Sequence, residues 1–294
     1  MPDKAALFDS IARPDGGFAM VALDGRASMR AILRDAGQPH DESDQRAFKA
    51  TVARVLGPHA SALLCDTITG DDAIQVAQGL GDTGLIVAVD DFTEPRFGPL
   101  QDSKLDEAAM APAVARGGVS ALKLYLFWRP EESYEERVEG AKTFVEGCAE
   151  LGVLSVLEGV ITVPVGDPAY DDALVRAAEE YGGLAPDLYK TQTPTCGKGD
   201  DATIEQQAAR ITEAVGAPWV VLSNGVPNDR FGDAVAAACR GGASGFLAGR
   251  GAWRAAVSAP DPAAELATGG VARIDRLVAA VDANARPWHA AVTR

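Results

Sequence analysis

Apolar residues along the chain gather into eight short runs separated by longer stretches of helical periodicity. The runs are GGFAMVALD (16–24), ASALLCD (60–66), LIVAVDD (85–91), ALKLYLFW (121–128), LSVLEGVI (154–161), DLYKTQ (187–192), PWVVLSNG (218–225) and GFLAGR (245–250). Each has the length of a strand, and all but ASALLCD carry β-branched or aromatic residues. Between them, PEESYEERVEGAKTFVEGCAELG (130–152), DPAYDDALVRAAEEYGG (167–183) and DDATIEQQAARITEAVG (200–216) read as amphipathic helices. Pro130 and the Asp167–Pro168 pair are expected starts, and Gly152, Gly182 and Gly216 expected stops.

Eight strands alternating with helices predict parallel βαβ units. The first run lacks the G-x-G-x-x-G turn of a dinucleotide-binding sheet. Eight strands in a chain of 294 residues fit a closed (β/α)₈ TIM barrel, an α/β fold of one domain. No linker-like stretch divides residues 1–294, and the residues from about 257 to 294 are expected to form a C-terminal helical extension.

Strand side chains alternate between two faces, so the polar residues can be assigned a direction. Leu122, Leu124 and Leu126 make a uniform apolar face for the helix layer, which turns Lys123, Tyr125 and Phe127 inward. The same count groups Met20, Ala22 and Asp24; Val156, Glu158 and Val160; and Leu188, Lys190 and Gln192. On the last two strands it groups Val221 with Ser223, and Phe246 and Ala248 with Arg250. Six polar groups then converge in the barrel: Asp24, Lys123, Glu158, Lys190, Ser223 and Arg250. A closed barrel has no edge strand through which a lysine could escape to water. Charges placed there must be paired or employed. Crowded cations disfavour one another's charged forms, and a neutral amine is what attacks a carbonyl. Lys190 therefore reads as a Schiff-base lysine beside a second cation, Lys123, with Glu158 as acid–base partner.

Composition narrows the partners. The net charge of −15 excludes nucleic acid and anionic membrane surfaces as partners, and no apolar run approaches a membrane span. The N-terminus has no apolar signal-peptide core. Cys65, Cys148, Cys196 and Cys239 are too widely spaced for a C-x-x-C motif and are expected to be free thiols in the cytoplasm. The three histidines, His40, His59 and His289, have no metal-site spacing, so no metal is expected. Magnesium on Asp24, Asp66, Asp90 or Asp91 stays as an alternative. Gly-containing turns after strands seven and eight, with Ser223, Asn224, Gly225, Gly249 and Arg250, stand at the usual phosphate corner of such a barrel.

In GGFAMVALDGR, ASALLCD, ALKLYLFWR, DLYK, GKG, WVVLSNGV and GASGFLAGRGAW the chain resembles the class I (Schiff-base) aldolases of the tagatose-1,6-bisphosphate aldolase family. Within it, the sulfofructosephosphate aldolases look most similar. The resemblance implies that Lys190 forms the Schiff base, Glu158 shuttles protons, Lys123 is the second active-site lysine and Asp24 binds substrate hydroxyls. It implies that Ser223 and Arg250 hold the phosphate of a dihydroxyacetone phosphate half, without any cofactor, in a protein that self-associates. The implied substrate is an anionic sugar phosphate, 6-deoxy-6-sulfofructose 1-phosphate or else tagatose 1,6-bisphosphate. Arg26 and Arg129 are candidates for the distal anion. Trp253 and the terminal ARPWHAAVTR segment are candidates for a subunit contact. Gln192, Gly25 and Asn224 depart from the family's pattern, as does the absence of basic residues in LEGVITVPVGDP. Two further readings stay open: a non-catalytic barrel that binds phosphosugars, and a lyase or dehydratase acting on a keto acid.

Overall fold

A computed structural model describes residues 3–93 and 100–291. Its strands are β1 (Phe18–Ala22), β2 (Ala62–Cys65), β3 (Gly84–Ala88), β4 (Asp90–Thr93), β5 (Asp102–Leu105), β6 (Val119–Trp128), β7 (Leu154–Ile161), β8 (Leu188–Gln192), β9 (Trp219–Leu222) and β10 (Gly245–Ala248). Eight of them close into a parallel barrel in the order β1-β10-β9-β8-β7-β6-β3-β2. The expected (β/α)₈ barrel is thus the fold. One element was not expected: β4 and β5 form an antiparallel hairpin at the C-terminal end of β3. The run through Asp91 therefore divides, with the barrel strand ending at Ala88 and the hairpin starting at Asp90.

The helices begin and end where local chemistry satisfies their free backbone groups. Ser133, not Pro130, caps helix 134–151 through a reciprocal capping box with Glu136, and Gly152 ends it in the left-handed conformation. Asp200 caps helix 201–215 by accepting from the Thr203 N–H, and Gly216 ends it. Helix 170–182 runs through Gly182 and stops at Gly183. Beyond β10, a helix at 250–257 is followed by helical segments to residue 284 and a short helix at 288–291. No helix among the described residues is long and apolar enough to cross a membrane.

Two apolar layers build the molecule. The outer one, between sheet and helices, contains Leu122, Leu124 and Leu126 as their alternation requires. The inner one stacks Phe18, Met20, Leu64, Ile86, Val156, Leu188, Val220 and Leu247 inside the barrel. Phe8 and Ile11 of helix 4–11 close its N-terminal end, where Trp288 stacks on Phe8 with ring centroids 4.6 Å apart. Trp253 is buried and its indole N–H donates to the Ala22 carbonyl at 3.1 Å, so it is no surface for a second subunit.

The inward counting fails on the last two barrel strands. Val220 and Leu247 face in, whereas Val221, Phe246 and Ala248 pack outward against helices. The count ran back from Ser223 and Arg250 as though both were strand residues, but β9 ends at Leu222 and β10 at Ala248. Past a strand's end the two-residue alternation no longer governs direction.

Closure brings backbones together where β10 meets β1. Gly245 has φ +138°, and a Cβ there would lie 1.9 Å from the Phe18 carbonyl oxygen. Gly245→Ala is expected to lower unfolding free energy by at least about 3 kcal/mol, read from urea denaturation.

Candidate active site

A cavity of about 420 Å³ opens at the C-terminal end of the barrel. Asp24, Lys123, Glu158, Lys190, Ser223, Asn224, Gly249 and Arg250 all line it. Gly225 stands on the same turn as Ser223 and Asn224 but outside the lining. The floor consists of the inner apolar layers, so the charged residues occupy the uppermost ring.

The chain positions these groups by register. Glu158 on β7 is the direct partner of Lys190 on β8, and Tyr125 on β6 is the partner of Glu158. Paired residues of a parallel sheet point to one face, which puts the Lys190 ammonium nitrogen 2.9 Å from Glu158 Oε2. Lys123 stands two residues below Tyr125 and reaches the same Glu158 oxygen at 3.0 Å. The two amines therefore lie within about 6 Å of each other. Lys123 Nζ also contacts Asp24 Oδ2 at 2.8 Å and Asp90 Oδ2 at 3.1 Å. Both lysines are buried, at 0% and 4% exposure, which is tolerable only with these partners.

The electrostatics follow from that sharing. Burial disfavours the Lys123 ammonium, but Asp24, Asp90 and Glu158 together raise its pKa well above the usual lysine range. Burial likewise pushes the Asp24 carboxyl upward, yet Lys123 and then Lys190 outweigh it and hold Asp24 far below the carboxylate range. For Asp90 the balance reverses. Burial dominates, Lys123 offsets it in part, the Asp24 charge adds to it, and the pKa rises to about 6. Asp24 is the nearer to Lys123 and also feels Lys190, which accounts for the opposite signs. Burial, reinforced by Glu158, raises the Tyr125 phenol and keeps it protonated.

Asp90 is the residue that counting along the strands overlooked except as a magnesium ligand. Its signal was available: Ile86 and Ala88 face inward, and Asp90 continues their alternation. Each of the four carboxylates considered for magnesium has a lysine instead: Asp24 and Asp90 share Lys123, Asp66 pairs with buried Lys49, and Asp91 pairs with Lys104. Among the described residues no group of His, Cys, Asp and Glu side chains is arranged to hold a metal ion.

At the opposite wall, the turn after β9 lies against the start of helix 250–257. Arg250 donates to Asn224 Oδ1 at 2.7 Å. Ser223 Oγ lies 3.7 Å from the point where a side chain at Gly251 would begin. A Cβ on Gly249 would stand 2.4 Å from the Ala22 carbonyl oxygen, so glycine lets the end of β10 approach β1. Gln192 uses its amide on both backbone groups of Ile161, accepting from N–H at 2.8 Å and donating to C=O at 3.4 Å. Arg26 lines the cavity, its guanidinium 4.2 Å above the Phe92 ring and one nitrogen 3.0 Å from the Asp90 carbonyl oxygen. Its buried Nε has no partner among the described residues. Arg129 is outside the lining and is taken up by Asp102, Glu132 and the Gln101 carbonyl.

A model of the DeoC/LacD family aldolases matches residues 18–255, a span that contains every one of these groups. The chain belongs to the DeoC/LacD aldolase family. It is 25% identical to tagatose 1,6-diphosphate aldolase 2 of Enterococcus faecalis, over 98% of this chain and 96% of that protein. It is 27% identical to a tagatose 1,6-diphosphate aldolase of Listeria monocytogenes, over 96% and 93%. The fold is also similar to that of a fructose-bisphosphate aldolase from Slackia heliotrinireducens, with TM-score 0.64, 18% identity, and 96% and 92% coverage. As a member of this aldolase family the protein is a lyase.

Lys123→Met would leave three carboxylates around an apolar side chain. Because the raised Lys123 pKa keeps its ammonium through neutral pH, its stabilisation is fully present there and is lost only in strong base. The substitution is expected to cost about 3–5 kcal/mol at pH 7.5. The deficit should shrink towards pH 5 as the carboxylates take up protons, followed by urea unfolding at both pH values.

Proposed function

We propose that the protein is a class I aldolase that cleaves a ketose 1-phosphate through a Schiff base on Lys190. The observation that carries this reading is the Lys190–Glu158–Lys123 chain, two buried amines on a single carboxylate oxygen inside the cavity. An amine that attacks a carbonyl must give up a proton, and Glu158 at 2.9 Å is placed to receive it. Lys190 Nζ adds to C2 of the open-chain ketose, and Glu158 returns a proton to the departing hydroxyl as water leaves. The iminium that results is an electron sink. Once the C4 hydroxyl gives its proton to Glu158, a carboxylate again after that return, the C3–C4 bond breaks, the aldehyde departs and the bonding pair enters an enamine. Protonation at C3 and hydrolysis release dihydroxyacetone phosphate and free Lys190. Asp24, held ionised, accepts hydrogen bonds from substrate hydroxyls, and Lys123, held as an ammonium, supplies fixed positive charge. Ser223, Asn224, Gly225, Gly249 and Arg250 take the C1 phosphate at the N-terminus of helix 250–257. No metal or cofactor is required by this sequence of steps.

For the aldehyde half, the names of the relatives support tagatose 1,6-bisphosphate. The ALKLYLFWR and GASGFLAGR segments support the sulfonated substrate 6-deoxy-6-sulfofructose 1-phosphate. In both, Arg26 meets the C6 anion.

Borohydride added with substrate is expected to trap one dihydroxyacetone phosphate mass on Lys190 by peptide mass spectrometry. Lys190→Ala should lose about 10³-fold or more in kcat, and EDTA should leave activity unchanged. Full activity of Lys190→Ala would refute the assignment. Kinetics on ketose 1-phosphates bearing phosphate, sulfonate or hydroxyl at C6 identify the aldehyde half. Arg26→Gln should raise KM about 10–100-fold for the anionic pair only.

A further inference from the structure

Asp90 is a buried carboxylate in contact with the reaction centre that the mechanism above leaves without a task. Its side chain is wholly buried, one oxygen against Lys123 Nζ at 3.1 Å and the other accepting the Tyr125 backbone N–H at 2.5 Å. Its own carbonyl accepts from Arg26 at 3.0 Å. It begins the β4–β5 hairpin, whose Phe92 lies under Arg26 and edge-on to Tyr125 at 5.8 Å between ring centroids. One residue thus links the shared lysine, the backbone of β6 and the cation assigned to the distal anion.

We infer that Asp90 is a positioning residue: by taking a share of the Lys123 ammonium it limits the pull of Lys123 on Glu158, and so keeps Glu158 available to the Lys190 amine. This rests on the Schiff-base reading and deepens it. Without the Asp90 charge, Lys123 would be held by Asp24 and Glu158 alone. Its ammonium would then draw Glu158, which it shares with Lys190, toward itself. The groups facing Asp90 are Lys123 and Tyr125 from β6, Glu158 from β7 with Lys190 behind it, Asp24 after β1, and Arg26 on its carbonyl. With a pKa raised to about 6 by burial, Asp90 is ionised at neutral pH and takes up a proton in mild acid. The hold on Lys123 should therefore weaken as pH falls through that value.

The test compares pH profiles of kcat and KM for wild type, Asp90→Asn and Asp90→Glu, with borohydride trapping run in parallel. Wild-type kcat should fall close to tenfold per pH unit below about 6, while KM changes little. Asp90→Asn keeps an acceptor for the Tyr125 N–H but no charge. It should lose that acid limb and show kcat about 10–100-fold lower at pH 8, with KM within about threefold. Asp90→Glu should restore part of the rate and the limb. An Asp90→Asn profile that parallels wild type, or full activity at pH 8 with trapping intact, overturns the inference alone. Should Asp90→Asn not fold, the wild-type profile decides, and a kcat flat from pH 8 to pH 5 overturns it. Absence of a trapped adduct in wild type would overturn the Schiff-base reading and this inference with it.

Discussion

The arrangement of this protein depends on one buried ammonium group, that of Lys123, shared by three carboxylates at the bottom of the cavity. Five ionisable side chains could not be buried side by side as isolated charges, because desolvation of each would cost several kcal/mol. Lys123 solves this by standing at the point where Asp24 after β1, Asp90 at the start of β4 and Glu158 on β7 converge. Such a convergence of carboxylates would otherwise attract a cation from solution. Here the cation is covalently part of β6, so its position is set by the strand and not by an equilibrium with solvent.

The closed barrel makes that possible. Every barrel strand is paired on both sides, so a lysine in mid-strand has either the interior or the helix layer to point into. The inner apolar layers, from Phe18 and Leu154 up to Leu247, leave room for polar groups only at the C-terminal ring. Glu158 and Lys190 meet there because they are neighbours in register on β7 and β8, which local strand geometry guarantees once the two strands pair. The phosphate corner is built differently. It depends on where β9 and β10 stop, on the Gly249 contact with Ala22, and on the start of helix 250–257.

This difference explains which parts of the site could be read along the chain. On β6, β7 and β8 the strands extend to the residues concerned, so two-residue alternation placed Lys123, Glu158, Lys190 and Gln192 inside. On β9 and β10 the same count turned Val221 and Phe246 inward although both face the helices, because Ser223 and Arg250 stand after the strand ends. They line the cavity through the turn and the helix that follow. Asp90 is a different case: alternation along LIVAVDD runs inward through Ile86 and Ala88 to Asp90, and what the run does not announce is that a hairpin begins after Ala88 and ties Asp90 to the Tyr125 N–H. Arg26 and Arg129 were indistinguishable as strand-end arginines, and the hairpin separates them by claiming Arg129 for Asp102 and Gln101.

What the chain determined by itself was local or periodic: eight apolar runs, the capped helices between them, the inward direction of the two lysines, and a charge pattern intelligible only inside a barrel. Strand periodicity and helix caps act over a few residues, so they survive without knowledge of the fold. What only tertiary structure decided was the meeting of distant groups: Asp24 with Lys123 across 99 residues, Asp90 with Lys123 across 33, and Arg250 with Asn224 across the β9–β10 corner. Those distances depend on the tilt, closure and stopping points of all eight strands at once. No window of sequence contains that information.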